Sequence, residues 1–272
     1  MTTQAEKAAA FERMHHEDKI LILPNPWDRG SARLMEKTGH RALATTSAGY
    51  AFSRGKTDTN IGRAEIMDHS ADLVACTDLP ISADLENGFG HAPEDTAETI
   101  RQAAVAGLVG GSIEDSCNDG SAPHYEIAHA AERIEASADA AAALDFKFML
   151  CARAENYLWG NTDLADVIQR LQAYQEAGAD VLYAPGLTSA DDIRSVISSV
   201  DRPVNVLFGM AGMELTAGEL QEMGVARISA GGSIARAALQ AMMTASEKML
   251  AGDPAFSHAA ISGKDVHNLL KD

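Results

Sequence analysis

The sequence predicts an α/β protein that folds as one (β/α)8 TIM barrel. Short runs of β-forming residues alternate with alanine-rich amphipathic segments, a pattern typical of parallel strands joined by helices. Eight such strands can be counted, and no linker rich in proline, glycine or serine divides them. The alternative is an open, doubly wound sheet, which usually has fewer strands and a glycine-rich turn after the first strand.

The predicted strands are short, apolar and bounded by turn residues. In chain order they cover residues 20–24, 42–46, 81–85, 110–113, 147–152, 181–184, 204–207 and 227–230. The second strand is followed by a predicted long loop that reaches about residue 60.

The helices are predicted from their apolar periodicity and their end signals. Gly39 and Gly178 are placed to end helices, and Pro93 fits the first turn of another. Helices with predicted bounds cover residues 30–37, 63–77, 164–176, 190–198 and 217–223. Residues 1–272 form one domain, with an extra N-terminal helix at about 3–16. Helices within the C-terminal region 233–272 are long enough to reach a neighbouring subunit.

The composition argues against several classes of partner. The chain has 22 basic and 39 acidic residues and a net charge of −17, so no basic face for nucleic acid or an anionic membrane is expected. No apolar run reaches the roughly 18 residues of a membrane span, and the polar N-terminus does not resemble a signal peptide. Three widely spaced cysteines fit neither a disulfide framework nor a zinc site. We therefore expect a cytoplasmic protein that acts on a small molecule.

Acidic residues follow two neighbouring strands at the end of the barrel where catalytic groups lie. Asp84 and Glu86 are two residues apart, so strand alternation points both to one side, and Glu114 ends the next strand. Three converging carboxylates repel one another unless a divalent cation neutralises them, and oxygen ligands suit Mg²⁺ or Mn²⁺. The alternative is that acidic side chains cap the following helices. A Gly-Phe-Gly turn after Glu86 makes that role less favoured for this pair.

Arg153 follows a strand with a buried pattern, where an unpaired cation would be costly. Its anionic partner is either a substrate carboxylate or the side chain of Glu155 or Glu114. Asp58 lies in the long loop after the second strand, where a role in a surface turn is the alternative to a role in the site.

Small residues after two strands are further candidates for binding anions. The backbone amides of one such turn, after the second strand, could hold a substrate carboxylate. Its residues are Ser47, Ala48 and Gly49. The turn at residues 231–233 could bind phosphate or serve only in packing, and Asn205 on the seventh strand is a candidate substrate-binding residue.

These motifs resemble the isocitrate lyase and phosphoenolpyruvate mutase superfamily over about residues 18–250. The resemblance rests on LPNPWDRGSARL, ATTSAGYA, ADLENGFG, GGSIEDS, CARAEN, AGADVLYAPG, PVNVLFG and RISAGGSIARAAL. It implies a barrel whose last helix is exchanged between paired subunits, and a homotetramer built as a dimer of dimers. It also implies that a Mg²⁺-bound 2-oxo acid, or its enolate, is the shared chemical species.

The resemblance further implies a role for each matched residue. The turn at residues 47–49 would receive the substrate carboxylate, and Asp58 would lie near the metal. Asp84, Glu86 and Glu114 would occupy the acidic metal positions, with Glu86 in place of the more usual second aspartate. Arg153 would bind substrate, and together with Asp58 and Glu114 it forms the predicted catalytic set.

The loop after the fourth strand departs from the superfamily pattern. Lyases acting on isocitrate or methylisocitrate carry Lys-Lys/Arg-Cys-Gly-His there, whereas residues 116–124 of this chain read SCNDGSAPH, so Cys117 is not assigned the role of proton donor. The lid of the phosphonate branch, with Lys, Thr and Asn, is also poorly matched.

The sequence therefore predicts a Mg²⁺-dependent lyase that cleaves a small 2-oxo acid at C3, with oxaloacetate decarboxylation as the simplest instance. Two alternatives stay open. One is C–P chemistry, either hydrolysis of phosphonopyruvate or a mutase rearrangement. The other is a non-catalytic barrel that binds a 2-oxo acid.

Overall fold

The computed structural model describes residues 2–271 and contains eight strands surrounded by helices in that range. The strands are β1 (Leu21–Leu23), β2 (Leu43–Ala44), β3 (Ile81–Asp84), β4 (Gly110–Glu114), β5 (Met149–Arg153), β6 (Val181–Tyr183), β7 (Val204–Leu207) and β8 (Arg227–Ser229). The helices are α1 (Gln4–Met14), α2 (Arg29–Lys37), α3 (Ser47–Ser53), α4 (Arg63–Val74), α5 (Pro93–Val105), α6 (Ile127–Ala142), α7 (Leu164–Glu176), α8 (Ala190–Ser199), α9 (Ala217–Glu222), α10 (Ser233–Leu250) and α11 (Gly263–Leu270). Two short 3-10 turns lie at Asn156–Trp159 and Pro254–Ser257.

The strands form one parallel sheet in the order β1-β8-β7-β6-β5-β4-β3-β2. Between β1 and β2, the described residues form no ladder, so this joint is the seam of the barrel. A backbone bond from Ala44 N to Pro24 O (3.1 Å) crosses it, as does a bond from Asn25 Nδ2 to Thr45 O (2.9 Å). The predicted (β/α)8 barrel is thereby confirmed, and the open-sheet alternative is wrong.

Asn25 also fixes the other side of the seam. Its Oδ1 accepts hydrogen bonds from Ala230 N (2.8 Å) and Gly231 N (3.0 Å), just after β8. One buried amide side chain therefore joins the ends of β1, β2 and β8. It also engages one amide, that of Gly231, of the turn at residues 231–233 that the sequence offered as a phosphate site.

Two stretches differ from the predicted elements. The predicted loop after β2 begins with helix α3, because Thr46 Oγ1 accepts from Gly49 N (3.2 Å) and caps a helical turn there. Helix α6 is long and clearly formed, although its bounds were not predicted. Pro93 opens α5 as predicted, in a position where its missing N–H costs nothing.

Helix α1 covers the end of the barrel that lies opposite the strand carboxyl ends. Its Phe11 is fully buried among side chains from the first residues of β1, β5 and β6. The interior that it closes is partly polar, and Arg227 and Asn205 are almost completely buried there. The N-terminal helix thus serves as the floor of the barrel.

The C-terminal arm is far less buried than the barrel. Helix α10 has 18 residues, of which only Ala235 is buried among those described. Helix α11 packs against α2 of the same chain. None of the described helices is long and apolar enough to cross a membrane. The predicted exchange of the last barrel helix between subunits stays a prediction.

His15 joins the floor helix to the barrel interior. Its Nδ1 lies 2.8 Å from Phe11 O, so Nδ1 donates there and Nε2 accepts from Arg227 Nη1 at 3.3 Å. Burial, with the charge of Arg227 as a second cause, lowers the pKa of His15 to about 3. The ring is therefore neutral in the folded protein at all but strongly acidic pH.

This low pKa predicts a specific loss of stability in acid. Below about pH 6.5 the unfolded chain binds a proton at His15, whereas the folded chain does not. The free energy of unfolding should therefore fall by about 1.4 kcal/mol for each pH unit between about pH 6.5 and pH 3 because of His15. Urea unfolding of His15→Gln, whose side chain can still accept from Arg227, should show a shallower fall between pH 6.5 and 4.5 than the wild type.

His16→Gln serves as the control, because His16 is exposed on the same end of the helix. If the free energy of unfolding fell equally steeply with pH in the wild type and in His15→Gln, the pKa of His15 would not be lowered in the folded protein.

Candidate active site

The carboxyl ends of the strands surround an open cavity of about 540 Å³. Most of the predicted site residues line it: Ser47, Ala48, Asp58, Asp84, Glu86, Glu114 and Arg153. Two predicted residues, Gly49 and Asn205, do not. Asp58 lies in an exposed turn of the loop after α3 and also borders the cavity, so the structure is compatible with both of its predicted positions, and its role in the site stays a prediction.

Arg153 lies at the centre of the acidic part of the cavity. Its guanidinium contacts Asp84 Oδ1 (2.9 Å), Glu114 Oε2 (3.2 Å) and Glu155 Oε1 (2.9 Å), and only 13% of its side chain is exposed. Glu114 and Arg153 are register partners on β4 and β5. Both ion pairs predicted as the alternative to a substrate contact are therefore present, with Asp84 as a third partner.

Charge interactions and burial act in opposite directions on this cluster. Burial alone would lower the pKa of Arg153, but the carboxylates of Glu155, Glu114 and Asp84 raise it well above its ordinary value. Burial raises the pKa of Glu114 well above its ordinary value and that of Glu155 to about 7. One guanidinium does not fully compensate these acidic neighbours, so the ionised forms of Glu114 and Glu155 are disfavoured unless further positive charge enters the cavity.

Asp84 connects this cluster to the loop that follows β2. Its Oδ2 accepts from Ser47 N (3.2 Å) and lies 2.8 Å from Ser47 Oγ. The same hydroxyl lies 3.1 Å from Asp58 Oδ1, so it donates to either carboxylate. Burial, followed by the charge of Asp84, raises the pKa of Asp58. The seryl hydroxyl thus holds two carboxylates side by side.

Glu86 reaches the cavity by a different route from the one predicted. Strand β3 ends at Asp84, and Glu86 lies beyond it with a left-handed backbone (φ 48°). A tight turn, and not strand alternation, therefore brings the two acids to the same wall. Glu86 Oε1 is buried and has no hydrogen-bond partner among the described residues. Burial, then the charges of Asp84 and Asp58, raises the pKa of Glu86 to about 8.

Arg133 holds the turn that carries Glu86. This α6 side chain is 1% exposed, and its guanidinium donates to the carbonyl oxygens of Asn87 and Gly90. Its charged carbon lies 4.4 Å from the centre of the Tyr125 ring. A buried guanidinium from the outer layer therefore fixes the strained turn after β3.

The predicted carboxylate-binding turn is the first turn of α3, with two amides already engaged. Ser47 N donates to Asp84, and Gly49 N donates to the Thr46 side chain. A side chain at Gly49 would place its Cβ 2.6 Å from Thr46 Cγ2, so the tight capping geometry needs glycine. Substrate binding by Ser47, Ala48 and Gly49 stays a prediction. For it, the Ser47 amide would have to break its hydrogen bond to Asp84 and donate to the substrate instead.

Asn205 lies beneath the cavity and is 1% exposed. Its Oδ1 accepts from Arg227 Nε (2.9 Å), and its Nδ2 donates to Ser229 Oγ (3.0 Å). Because both ends of the amide are engaged within the barrel, its predicted contact with substrate gains no support from this geometry and stays a prediction.

The loop after β4 covers one side of the cavity. Asn118 Nδ2 donates to Glu114 Oε1 (2.9 Å), and Ser116 forms an isolated bridge with His124. Cys117 is 5% exposed, is absent from the cavity wall, and burial raises the pKa of its thiol. A buried, protonated thiol outside the cavity agrees with leaving Cys117 out of the chemistry.

The donor set suits a hard divalent cation, although it does not enclose one. In the part of the chain that the structure describes, no three acidic, histidine or cysteine side chains converge closely enough to hold a metal ion by themselves. Mg²⁺ usually keeps several water ligands and binds through one or two carboxylates. The orphaned Glu86 Oε1, and the raised pKa values of the carboxyl groups that lie near Asp84, fit that kind of site. Direct ligation by Asp84, Glu86 and Glu114 stays a prediction.

A second buried network supports the acidic cluster from below. Asp115 accepts from Glu155 N (2.8 Å) through Oδ1, and from Arg170 (3.0 Å) and the Tyr174 hydroxyl (2.6 Å) through Oδ2. Arg170 also pairs with Asp166 at 2.8 Å. Asp115 follows Glu114 directly and accepts from the backbone of Glu155. The network therefore fixes the backbone of both residues whose carboxylates contact Arg153.

Several wall residues were not singled out as site residues by the sequence. Glu155 was considered only as a partner for Arg153. Tyr183 was not among the predicted site residues, yet the Arg153 guanidinium lies 5.3 Å from the centre of its ring. The position of Tyr183 at a strand carboxyl end was the available signal. Arg227 and Asn118 carried no local motif that could have revealed their contacts.

The family model for phosphoenolpyruvate phosphomutase matches residues 11–250 of this chain. Among curated proteins, an uncharacterized protein of Mycobacterium tuberculosis is 31% identical, with coverage of 82% of this chain and 81% of that protein. The 2-methylisocitrate lyase of Bacillus subtilis is also 31% identical, with coverage of 82% and 75%.

Solved structures show the same fold. A Burkholderia cenocepacia J2315 protein with the provisional description lyase/mutase is 53% identical, with a TM-score of 0.96 and coverage of 99% of this chain and 97% of that one. A phosphonopyruvate hydrolase solved with oxalate and Mg²⁺ has a TM-score of 0.84 at 20% identity, with coverage of 97% and 94%, and therefore supports the fold alone.

The network below the cluster predicts a measurable loss of stability. Tyr174→Phe removes the hydroxyl that donates to Asp115 and leaves a buried carboxylate with one fewer donor, so the unfolding free energy should fall by about 2 kcal/mol. Urea denaturation measures it. Tyr157→Phe is the matched control, because its hydroxyl reaches Asp192 only at 3.4 Å. A loss no larger in Tyr174→Phe than in Tyr157→Phe would contradict the role given to this network.

Proposed function

Because this chain belongs to the phosphoenolpyruvate phosphomutase family, within the isocitrate lyase and PEP mutase superfamily, we propose that it is a Mg²⁺-dependent lyase. It cleaves a bond at C3 of a small 2-oxo carboxylic acid and leaves a pyruvate-type enolate. Its relatives include proteins named as lyases and mutases, which supports this class of chemistry. Decarboxylation of oxaloacetate is the simplest reaction of the class.

One observation carries the proposal, namely the crowding of acidic side chains around Arg153. Five acidic side chains line the cavity: Asp58, Asp84, Glu86, Glu114 and Glu155. Arg153 contacts three of them, and Glu86 Oε1 is buried without a partner among the described residues. A further positive charge beside these carboxyl groups would stabilise their ionised forms and attract an anionic substrate, and a divalent cation is the species that oxygen donors of this kind hold.

The residues of the cavity can be given distinct tasks in this reaction. Asp84, Glu86 and Glu114 would hold the cation, with Asp58 beside it. When bound, Mg²⁺ supplies a Lewis acid that stabilises negative charge on the substrate's 2-oxo oxygen. Arg153 orients a substrate carboxylate, for which its planar guanidinium suits a two-point contact.

Decarboxylation asks little more of the protein than orientation and a source of protons. As the C3–carboxylate bond breaks, its electron pair enters the enolate, and C3 later takes up a proton. Glu155 lines the cavity, and its pKa of about 7 lets it hold a proton near neutrality, because burial disfavours its charged form. The reaction therefore needs neither a thiol in the loop after β4 nor the lysine that other lyases carry there.

C–P bond chemistry is the second reading of the same family. A phosphonate carries more negative charge than a carboxylate and needs more cationic donors. The described cavity wall contains Arg153, Arg227 and Arg236, without any lysine or histidine. Release of inorganic phosphate from phosphonopyruvate by the purified protein would support that reading over decarboxylation.

The proposal predicts metal-dependent turnover of oxaloacetate. With Mg²⁺, the purified protein should form pyruvate faster than the free ion does, and an excess of chelator should abolish the difference. Asp84→Asn should lower kcat/KM at least a hundredfold, because it removes a charge that would hold the cation and orient Arg153. Pyruvate can be followed by a coupled assay.

Asp139→Asn is the matched control, since Asp139 is exposed on α6 far from the cavity. Turnover at only the free-ion rate in the wild type would overturn the decarboxylase proposal. Tight binding of 2-oxo acids by calorimetry, without turnover of any, would instead favour a binding barrel.

We also propose that α10 packs against a second copy of this chain. The helix exposes large apolar side chains that a monomer leaves in water: Met242 (60%), Met243 (54%), Met249 (68%) and Leu250 (91%). Burial of such a surface at a symmetric interface is a common use for an exposed apolar helix. A dimer of dimers is the assembly expected.

This assembly predicts a change of mass in solution when the helix is made polar. The wild type should elute as a tetramer in size-exclusion chromatography with light scattering. Met243→Lys combined with Met242→Lys should shift it to a smaller species, because the charged side chains oppose burial. A monomeric wild type would contradict the assembly, and Val105→Lys, at an exposed site on α5, is the control.

A further inference from the structure

A row of polar side chains crosses the interior of the barrel from its floor to its mouth. Register pairs connect its members from strand to strand: Arg227 with Asn205, Asn205 with Tyr183, Tyr183 with Arg153, and Arg153 with Glu114. Directly paired residues lie on the same face of a sheet, so all of these side chains point into the barrel. The polar row begins at the first residue of β8 and ends at the last residue of β4, so it climbs as it crosses the strands.

Uncharged partners hold the lower end of the polar row. Arg227 is 5% exposed, and it donates to Asn205 Oδ1 (2.9 Å) and Cys151 Sγ (3.1 Å). His15 of the floor helix accepts from Arg227 at 3.3 Å. His15 is neutral, and burial raises the pKa of the Cys151 thiol. The Arg227 guanidinium therefore joins the floor helix to β5 and β7, and it fixes the side chain of Asn205.

A serine hydroxyl connects Asn205 to Tyr183. Asn205 Nδ2 donates to Ser229 Oγ (3.0 Å), so the proton of Ser229 is free to donate to another group. Burial raises the pKa of Tyr183, while the charge of Arg153 and a hydrogen bond from Ser229 act in the opposite direction. A donor to the phenol oxygen has that effect, so Ser229 donates to Tyr183. Tyr183 keeps its proton, and the hydroxyl end of its ring is tied to β8.

The ring of Tyr183 covers a face of the Arg153 guanidinium. The charged carbon lies 5.3 Å from the ring centre, within the range of a cation–π contact. The carboxylates of Asp84, Glu114 and Glu155 contact the nitrogen atoms at the edges of the same group. A carboxylate ligand binds a guanidinium in its plane, so the tilt of that plane decides where the ligand is held. The aromatic face is the contact that limits this tilt.

We propose that Tyr183 is a positioning residue for Arg153, and that Arg227, Asn205 and Ser229 hold the Tyr183 ring from below. The inference rests on the proposed function, in which Arg153 binds the substrate carboxylate. Tyr183 acts through the guanidinium and sets the direction in which it meets the ligand. The floor of the barrel thereby contributes to binding at the opposite end.

Packing alone is the competing explanation, because Tyr183 is large and buried. Val181 provides the matched control, since it is fully buried on the same strand and its register partner is Cys151 and not Arg153. Val181→Ala therefore removes interior packing from β6 without removing a contact to the guanidinium. Equal effects of Val181→Ala and Tyr183→Leu are what packing alone would produce.

The first experiment records nitrogen–proton NMR spectra of the arginine side chains in the protein without added ligand. Arg153→Lys identifies the Arg153 signals by their loss. An aromatic ring shields protons held over its face, so Tyr183→Leu should move the Arg153 signals downfield, whereas Val181→Ala should leave them in place. Arg153 signals at the same position in the wild type and in Tyr183→Leu would overturn the proposal.

The second experiment measures the binding of oxalate in Mg²⁺ by calorimetry. Tyr183→Leu should weaken binding about tenfold because the cation–π contact is lost, and Val181→Ala should leave it unchanged. Tyr183→Phe and Ser229→Ala should each weaken binding about threefold. The double variant should lose no more than either single one, because both break the same link. Losses that multiply in the double variant, or equal losses in Val181→Ala and Tyr183→Leu, would contradict the polar row.

Neither measurement uses turnover, so failure of this inference can be told apart from failure of the proposed function. A wild type that binds oxalate but does not decarboxylate oxaloacetate would remove the decarboxylase function and leave the role of Tyr183 standing. Metal-dependent turnover, together with Arg153 signals that do not respond to Tyr183→Leu, would remove the role of Tyr183 alone.

Discussion

A single guanidinium, that of Arg153, supplies the positive charge around which the acidic cavity is organised. Its three partners come from adjacent parts of the sheet, and the register of β4 on β5 sets Glu114 directly beside it. In a partly dehydrated site such pairs are strong, but each buried carboxylate without a partner is costly. A cation and an anionic substrate, as proposed, would offset that cost in the cavity.

The architecture was predictable from the sequence because it depends on patterns that repeat. Eight alternating strand and helix segments determine the barrel, and the rule that strand carboxyl ends face one side brings Asp84, Glu114 and Arg153 together. Local capping was harder to foresee, since the hydroxyl of Thr46 turns an expected loop into α3. Small residues in that segment fit a loop and a short helix equally well.

The less predictable parts of the site depend on contacts between residues distant in the chain. Glu86 faces the cavity because a left-handed backbone turns it there, and Arg133, from a helix three elements later, holds that turn. Asn205 is drawn beneath the cavity by Arg227. A buried arginine that donates to backbone or amide oxygens cannot be recognised in a single sequence, because its acceptors are distant in the chain and meet it only in the folded barrel. Sequence therefore indicated which chemical groups are present, and packing determined which of them reach the ligand.

The seam between β1 and β2 has a mechanical consequence. Every other neighbouring pair of strands is joined by a ladder, whereas this joint depends on one backbone bond and the side chain of Asn25. Hydrogen bonding between neighbouring strands is therefore continuous around the barrel except at this one joint, where the barrel is easiest to deform. Deformation concentrates there, next to the β2–α3 segment with Ser47, and not at β4 and β5. We therefore expect any widening of the barrel to occur beside Ser47 while Arg153 keeps its position.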